Sequence, residues 1–217
     1  MMKVFIVGGA GKVARHLARI LTARGHQPLS LYRRSEQADD LSALGAVPIY
    51  GDLTELSADD LSELMSGSDA VVFAAGAGGA SYDLTNAIDG DGFRKSLHAA
   101  IRADVPRFLQ ISAFPEAGRN SEPQEGFENY MKVKKQTDSE LAASDRDWVI
   151  LRPGTLSDDP GTGKINAGLA IPYGDIPRED VALTLATILD MPRINRMILE
   201  VTSGDTAAEE AVARLSA

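Results

Sequence analysis

The chain has 217 residues, 44% hydrophobic and 24% charged, with a formal net charge of −9 and no cysteine. That length accommodates one α/β domain, and the composition is that of an ordinary soluble globule. The acidic balance argues against nucleic acid and against an anionic membrane surface as partners, because both need clustered Lys and Arg. Without cysteine there is no disulfide framework, thiol nucleophile or thiolate metal site. No apolar stretch is long enough to span a bilayer, and no signal-like segment precedes the first strand, so a cytoplasmic location is expected.

The first predicted strand covers residues 3–7. Its apolar run breaks into glycines and resumes as a helix over 12–24. A strand that passes through a glycine turn into a helix aims backbone N–H groups and the positive helix end at one place, which favours a phosphate. In the run Gly8, Gly9, Ala10, Gly11, Lys12, Val13, Ala14, the first glycine permits a tight turn. Gly11 leaves room for a pyrophosphate, and Ala14 is small enough for the helix to pack on the strand. Placed between a strand and a long helix, this pattern predicts dinucleotide binding.

The second strand, 28–32, ends in Arg33, Arg34 and Ser35, with no carboxylate before Glu36. An NAD site places Asp or Glu here for the ribose 2′-hydroxyl, whereas an NADP site places Arg for the 2′-phosphate. Two guanidiniums suit a phosphomonoester, so NADP is predicted over NAD. A helix over 37–44 and a strand over 47–50 lead to Gly51, Asp52 and Leu53. Asp52 reads as a turn cap or as a neighbour of the adenine. A helix over 56–65 precedes a strand over 70–74 whose apolar run predicts burial on both faces. Small residues follow, and Ala74, Ala75 and Gly76 read either as a segment whose backbone packs close to a cofactor or as a flexible loop with no ligand. The next helix, 84–103, carries Asp89, Asp91 and Arg94, which as charged helix residues read as solvated.

Strands over 107–111, 148–151 and 197–201 alternate with helices over 127–144 and 178–190, and a helix over 207–215 closes the chain. Strands separated by helix-length segments imply βαβ units and a parallel sheet. Two irregular stretches, 114–126 and 153–173, are rich in turn formers. Long loops beyond strand ends are expected to face a substrate.

Ser112, Tyr130 and Lys134 form the candidate catalytic set. Tyr130 and Lys134 are four apart on a predicted helix and share a face. An ammonium beside a phenol would lower its proton affinity from the ordinary value near 10, and the Ser112 hydroxyl would orient the substrate oxygen. Together they would move the proton that accompanies hydride transfer. His16, His26 and His98 have no metal-ligand spacing, so no metal is predicted. Trp148 reads as core.

These residues carry a resemblance over nearly the whole chain. The glycine turn 8–14, Arg33 and Arg34, Gly51-Asp52-Leu53, Phe73 to Gly76, Ile111-Ser112-Ala113 and Tyr130 with Lys134 all take part. So do Leu151-Arg152-Pro153-Gly154 and the segment Asp159-Pro160-Gly161-Thr162-Gly163. The chain resembles the atypical short-chain dehydrogenase/reductase family, in its small NmrA-like or sugar-epimerase-like branch. The resemblance implies a Rossmann fold and bound NAD(P), with Pro153 and Gly154 near the nicotinamide. Ala14 in place of a third glycine and the long insertion between Ser112 and Tyr130 depart from the family pattern.

The expected protein is an α/β, Rossmann-like, doubly wound parallel sheet over 1–217, with substrate-facing loops near 114–126 and 153–176. The expected activity is NADP(H)-dependent oxidation, reduction or epimerisation of a small carbonyl or hydroxyl compound, with Tyr130 as acid/base. The alternatives are a non-catalytic NADP(H)-binding redox sensor, and a flavin or quinone reductase that uses only the nicotinamide. The oligomeric state is left open.

Overall fold

The computed structural model describes residues 1–78, 81–118 and 125–216. In chain order, β1 (Lys3–Val7) leads through α1 (Lys12–Ala23) to β2 (Gln27–Tyr32). Then come α2 (Gln37–Ala43), β3 (Val47–Tyr50), α3 (Ala58–Met65) and β4 (Ala70–Phe73). A helical turn, α4 (Tyr82–Leu84), runs through a π-helical stretch, Thr85–Gly92, into α5 (Phe93–Arg102). β5 (Arg107–Ile111), α6 (Glu125–Ala142) and β6 (Asp147–Pro153) follow. The remainder is β7 (Thr155–Ser157), β8 (Lys164–Gly168), β9 (Asp175–Pro177), α7 (Arg178–Asp190), β10 (Met197–Ser203), β11 (Thr206–Ala207) and α8 (Ala208–Ala213).

The main sheet has the order β11-β8-β10-β6-β5-β4-β1-β2-β3. Its body, from β3 across to β10, is parallel. The 3-2-1-4-5-6 order within it is the Rossmann arrangement. Alternation along β1 divides the core. Val4 and Ile6 face a cluster with Leu17 and Leu21 of α1, Leu185 of α7 and Val212 of α8. Phe5 and Val7 face Leu61 of α3, Phe93 and Leu97 of α5 and Leu141 of α6. Phe93 stands edge-on between Phe73 and Phe108, at centroid distances of 5.2 and 5.8 Å. Both faces of the sheet are thus covered, which is why its strands read as near-continuous apolar runs.

Strands and helices stand close to where the sequence places them, and the shifts have local causes. The helix expected from residue 56 begins at Ala58 because Ser57 caps it. The Ser57 Oγ accepts from Asp60 N at 3.1 Å, and the Asp60 carboxylate accepts from Ser57 N at 2.9 Å. This reciprocal pair is a capping box.

The stretch 153–173 is not irregular throughout, since β7 and β8 lie within it. β8 pairs antiparallel with β10, and β7 pairs with β9 in a separate ribbon. Only Ile165 of β8 is fully buried, so the strand has no apolar run by which the sequence announces it. Of the stretch 114–126, residues 119–124 lie outside the described residues.

Residues 161–163 are fastened to the start of α7. Asp180, 1% exposed, accepts from Thr162 N at 3.0 Å and Gly163 N at 2.8 Å, and Glu179 accepts from Gly161 N at 3.1 Å. Asp180→Ala removes a charged acceptor from two backbone donors, and about 2 kcal/mol of stability should be lost. In a chain of this size the thermal midpoint should fall by roughly 4–8 °C. Urea denaturation of the variant measures the loss directly.

Candidate functional site

β1 and β4 are neighbours in the sheet but are separated in sequence by β2 and β3, so the strand order reverses between them. Open α/β sheets take their ligands at such a switch point, beyond the carboxyl ends of the strands. A cleft of about 270 Å³ lies there. Gly8, Ala10 and Gly11 line it from the turn after β1, and Ala74, Ala75 and Gly76 from the segment after β4. Tyr32, Arg33 and Gln37 come from the end of β2 and the start of α2, Asp52, Leu53 and Thr54 from beyond β3, and Ile88 from the π-helical stretch.

The cleft fits a dinucleotide on three counts. Gly8 has φ +80°, and a Cβ there would lie 2.6 Å from Ala75 Cα, so only glycine closes this turn against the β4 segment. Gly11 is the N-cap of α1 and brings no side-chain cap, and the first turn holds no acidic residue. The free N–H groups at that helix end suit a pyrophosphate. At the far end the Arg33 guanidinium lies close enough to the Asp52 carboxylate to act on it. Partial burial works against ionisation of Asp52. Hydrogen bonds from Thr54 N at 2.9 Å and Thr54 Oγ1 at 2.7 Å, helped by Arg33 and Lys95, nevertheless hold it below the usual carboxylate range.

Not every residue expected at the cofactor lines this cleft. A Cβ on Gly9 would abut Ser30 of β2, and Val13 is buried in the core. Arg34 does not line the cleft and pairs with Glu36 at 3.3 Å. Lys12 pairs with Asp158, which also accepts from Arg178 at 2.6 Å, beside a second cleft. Pro153 is buried at the end of β6, and Gly154 lies against the Gly174 carbonyl. Tyr32, Gln37, Thr54 and Ile88 line the cleft without having been singled out in the sequence. Gln37 had a signal: its Oε1 accepts from Arg33 N at 3.3 Å and Arg34 N at 3.0 Å, as a side chain three or four positions past a turn can.

Lys134 of α6 reaches the backbone at the end of β5, one residue before Ser112, and lies beside Tyr130 of the same helix. Lys134 is 3% exposed. Its Nζ donates to Ile111 O at 2.7 Å, lies 3.8 Å from Asp89 Oδ1, and stands 6.0 Å from the centre of the Tyr130 ring. Ser112 is buried, and its Oγ has no hydrogen-bond partner among the described residues.

Two expectations are corrected. Asp89 is not solvated. The π-helical stretch turns it inward, to 1% exposure, and its Oδ2 accepts from Ala77 N at 2.9 Å. Nor does Lys134 lower the Tyr130 phenol. Burial, followed by the Asp89 and Asp138 carboxylates, holds that phenol above its ordinary value. The cation is engaged elsewhere, by a carbonyl and a carboxylate. Burial also lowers the proton affinity of Lys134 and raises that of Asp89, and the partner charge offsets each only in part. Asp138 is itself bound by Arg152, Nη2 at 2.8 Å and Nε at 3.1 Å. Among the described residues no cluster of His, Cys, Asp and Glu could hold a metal ion, and no helix is long and apolar enough to cross a membrane.

Lys134→Met leaves the Asp89 carboxylate buried beside an apolar stem. Breaking one side of a buried pair costs about 3 kcal/mol or more. Without its cation the carboxyl moves further up in the folded state than in the unfolded chain. Such a group contributes stability below its unfolded value and loses it as pH rises through the folded value. The deficit of the variant, read by chemical denaturation, should therefore be smaller near about pH 5 than near about pH 8.

Comparison with known proteins agrees with this geometry. The model of the NAD(P)H-binding family matches residues 8–192. The uncharacterized sugar epimerase YhfK of Bacillus subtilis is 34% identical over 216 residues, 99% of this chain and 100% of that protein. A solved Bacillus halodurans protein, provisionally named an NAD-dependent epimerase/dehydratase, is 33% identical. The match covers 99% of this chain and 100% of that one, with a TM-score of 0.90. The structure of the oxidoreductase ylbE of Lactococcus lactis is 25% identical, with a TM-score of 0.84, over 99% of this chain and 96% of that one. With its glycine-lined cleft at the switch point of a Rossmann sheet, this chain belongs to the NAD(P)H-binding family.

Proposed function

We propose that the protein is an NADP(H)-dependent oxidoreductase that reduces a small carbonyl compound, with Tyr130 as the proton donor. One observation supports the reading: Ser112, Tyr130 and Lys134 do not themselves line the cleft, but its wall is joined through the chain to the buried polar cluster they belong to. Ile88 lines the cleft, and its neighbour Asp89 faces Lys134. Lys134 in turn holds the backbone at Ile111, one residue before Ser112, and stands over Tyr130.

The glycine turn and the start of α1 would hold the pyrophosphate, and the segment 74–76 would lie along the cofactor. The reduced nicotinamide supplies the hydride when bound. This chain's residues handle the proton. A phenol is protonated at neutral pH, as donation to a developing alkoxide requires, although burial makes this one a weaker acid than a free tyrosine. Ser112 Oγ, with no partner of its own among the described residues, is available to the same oxygen. The loops near 114–126 and 153–176 would face the substrate.

The NADP preference rests on Arg33, which lines the cleft at the end of β2, where no carboxylate stands to meet a 2′-hydroxyl. Arg34, turned to Glu36, adds less. NADPH should bind more tightly than NADH. Arg33→Ala should erase most of the difference, a change of roughly tenfold to a hundredfold, while Arg34→Ala leaves most of it. Fluorescence titration of both cofactors against the two variants decides it. Equal affinities in the unaltered protein would remove the basis for NADP.

Tyr130→Phe deletes one oxygen and little packing. With an active substrate found by screening aldehydes, ketones, quinones and nucleotide sugars, its turnover should fall by about 10² to 10⁴, with cofactor affinity nearly unchanged. Undiminished turnover would show that Tyr130 is not the acid.

A further inference from the structure

We infer that Lys95, which does not line the cleft, is the positioning residue for its adenosine end. An ammonium has three donors. Those of Lys95 all go to one segment, donating to Leu53 O at 2.6 Å, Leu56 O at 2.8 Å and Thr54 O at 3.3 Å. The segment follows β3 and precedes α3, so neither a sheet ladder nor a helix uses those carbonyls. Its backbone curls around a cation that arrives from α5, about forty residues further along the chain.

The same segment presents Asp52, Leu53 and Thr54 to the cleft. It is clamped twice. Locally, the Asp52 carboxylate holds Thr54 through its N–H and its hydroxyl. From outside, the Lys95 ammonium holds the carbonyls of Leu53, Thr54 and Leu56. The Lys95 charge also acts on the Asp52 carboxylate, in the same direction as that of Arg33. One side chain in the layer below therefore fixes both the shape of the wall and the charge balance across it. The wall belongs to the β2–β3 side of the cleft, away from Tyr130. Lys95 accordingly serves recognition of the adenosine half of a dinucleotide and not the reacting half.

The inference rests on the reading that a dinucleotide lies along the cleft with its adenosine half toward Arg33 and Asp52. Lys95→Met should weaken ADP-ribose by about tenfold, the size of a lost charge-assisted contact network, and weaken NADPH by about the same factor. An equal factor places the whole loss in the adenosine half. Lys95→Arg, whose planar fork does not reproduce three converging bonds, should fall between the two. Calorimetry with ADP-ribose and 2′-phospho-ADP-ribose, and fluorescence titration with NADPH, make the measurement on the intact chain. Lys95→Gln, which keeps most of the stem, gives the same comparison should the methionine variant not fold.

Unchanged affinity for both ligands, even with a lowered thermal midpoint, would overturn the inference, because Lys95 would then only stiffen the fold. A much greater loss for NADPH than for both ADP-ribose and 2′-phospho-ADP-ribose, which carries the whole adenosine half, would overturn it too, because the effect would then extend over the whole cleft. Gly11→Val, measured in parallel, separates the two readings. Loss of both ligands in that variant keeps the pyrophosphate at the glycine turn, whatever Lys95 shows. Retained binding in Gly11→Val displaces the cofactor reading itself.

Discussion

The approach of the β1 turn to the segment after β4, closed at Gly8 against Ala75, is the constraint on which the rest of this structure depends. Two backbones meet there at a distance that leaves no room for a side chain, and the left-handed turn at Gly8 makes the meeting possible. The contact fixes where the sheet opens into a cleft and how the segment 74–78 runs. Ala77 N, on that segment, is the donor that draws Asp89 inward. Asp89 meets Lys134, and Lys134 meets the backbone at the end of β5. A single steric event at the switch point is thereby linked, contact by contact, to the polar cluster around Tyr130.

That cluster is unusual in how it distributes charge. Two carboxylates and an ammonium act around one phenol, and each carboxylate already has a cationic partner, Lys134 for Asp89 and Arg152 for Asp138. Buried ionic groups are stable only when paired and hydrogen-bonded, so the arrangement has little freedom to redistribute. Lys134 cannot both satisfy Asp89 and act as a free cation for Tyr130. The phenol is accordingly held above its ordinary proton affinity, by burial first and then by the two carboxylates. The π-helical stretch is the local device behind it. By inserting an extra residue per turn it places Asp89 toward the sheet where a regular helix would carry the position round, and such stretches recur at functional sites.

The cleft divides into two ends with different physics. The end near the glycine turn relies on backbone: N–H groups, a helix terminus and the absence of side chains. The end near β2 and β3 relies on side chains that hold other chain segments in place, with Gln37 under the backbone of Arg33 and Arg34, Asp52 under Thr54, and Lys95 under 53–56. Groups of this kind control a ligand through the loop they order. They are invisible to any reading that asks only which residues touch the ligand.

By itself, the sequence determined the parallel αβ alternation, the turn at 8–11 and the arginine at the end of β2. Each of these is local: apolar runs buried on both faces, glycines where a turn must close, and residue type at a strand end are all written within a few positions. Membership of Tyr130 and Lys134 in one patch was legible too, because a helix repeat places i and i+4 together. The strands within 153–173 were not, since β8 is stabilised by pairing with β10 and not by apolar runs of its own. Only the tertiary structure decided that Asp89 is buried, that Lys134 is spent on Asp89 and Ile111, and that Lys95 reaches the loop beyond β3. Those outcomes join residues between about twenty and forty-five positions apart through hydrogen bonds and burial, and neither spacing nor composition encodes which distant partner a buried charge will find.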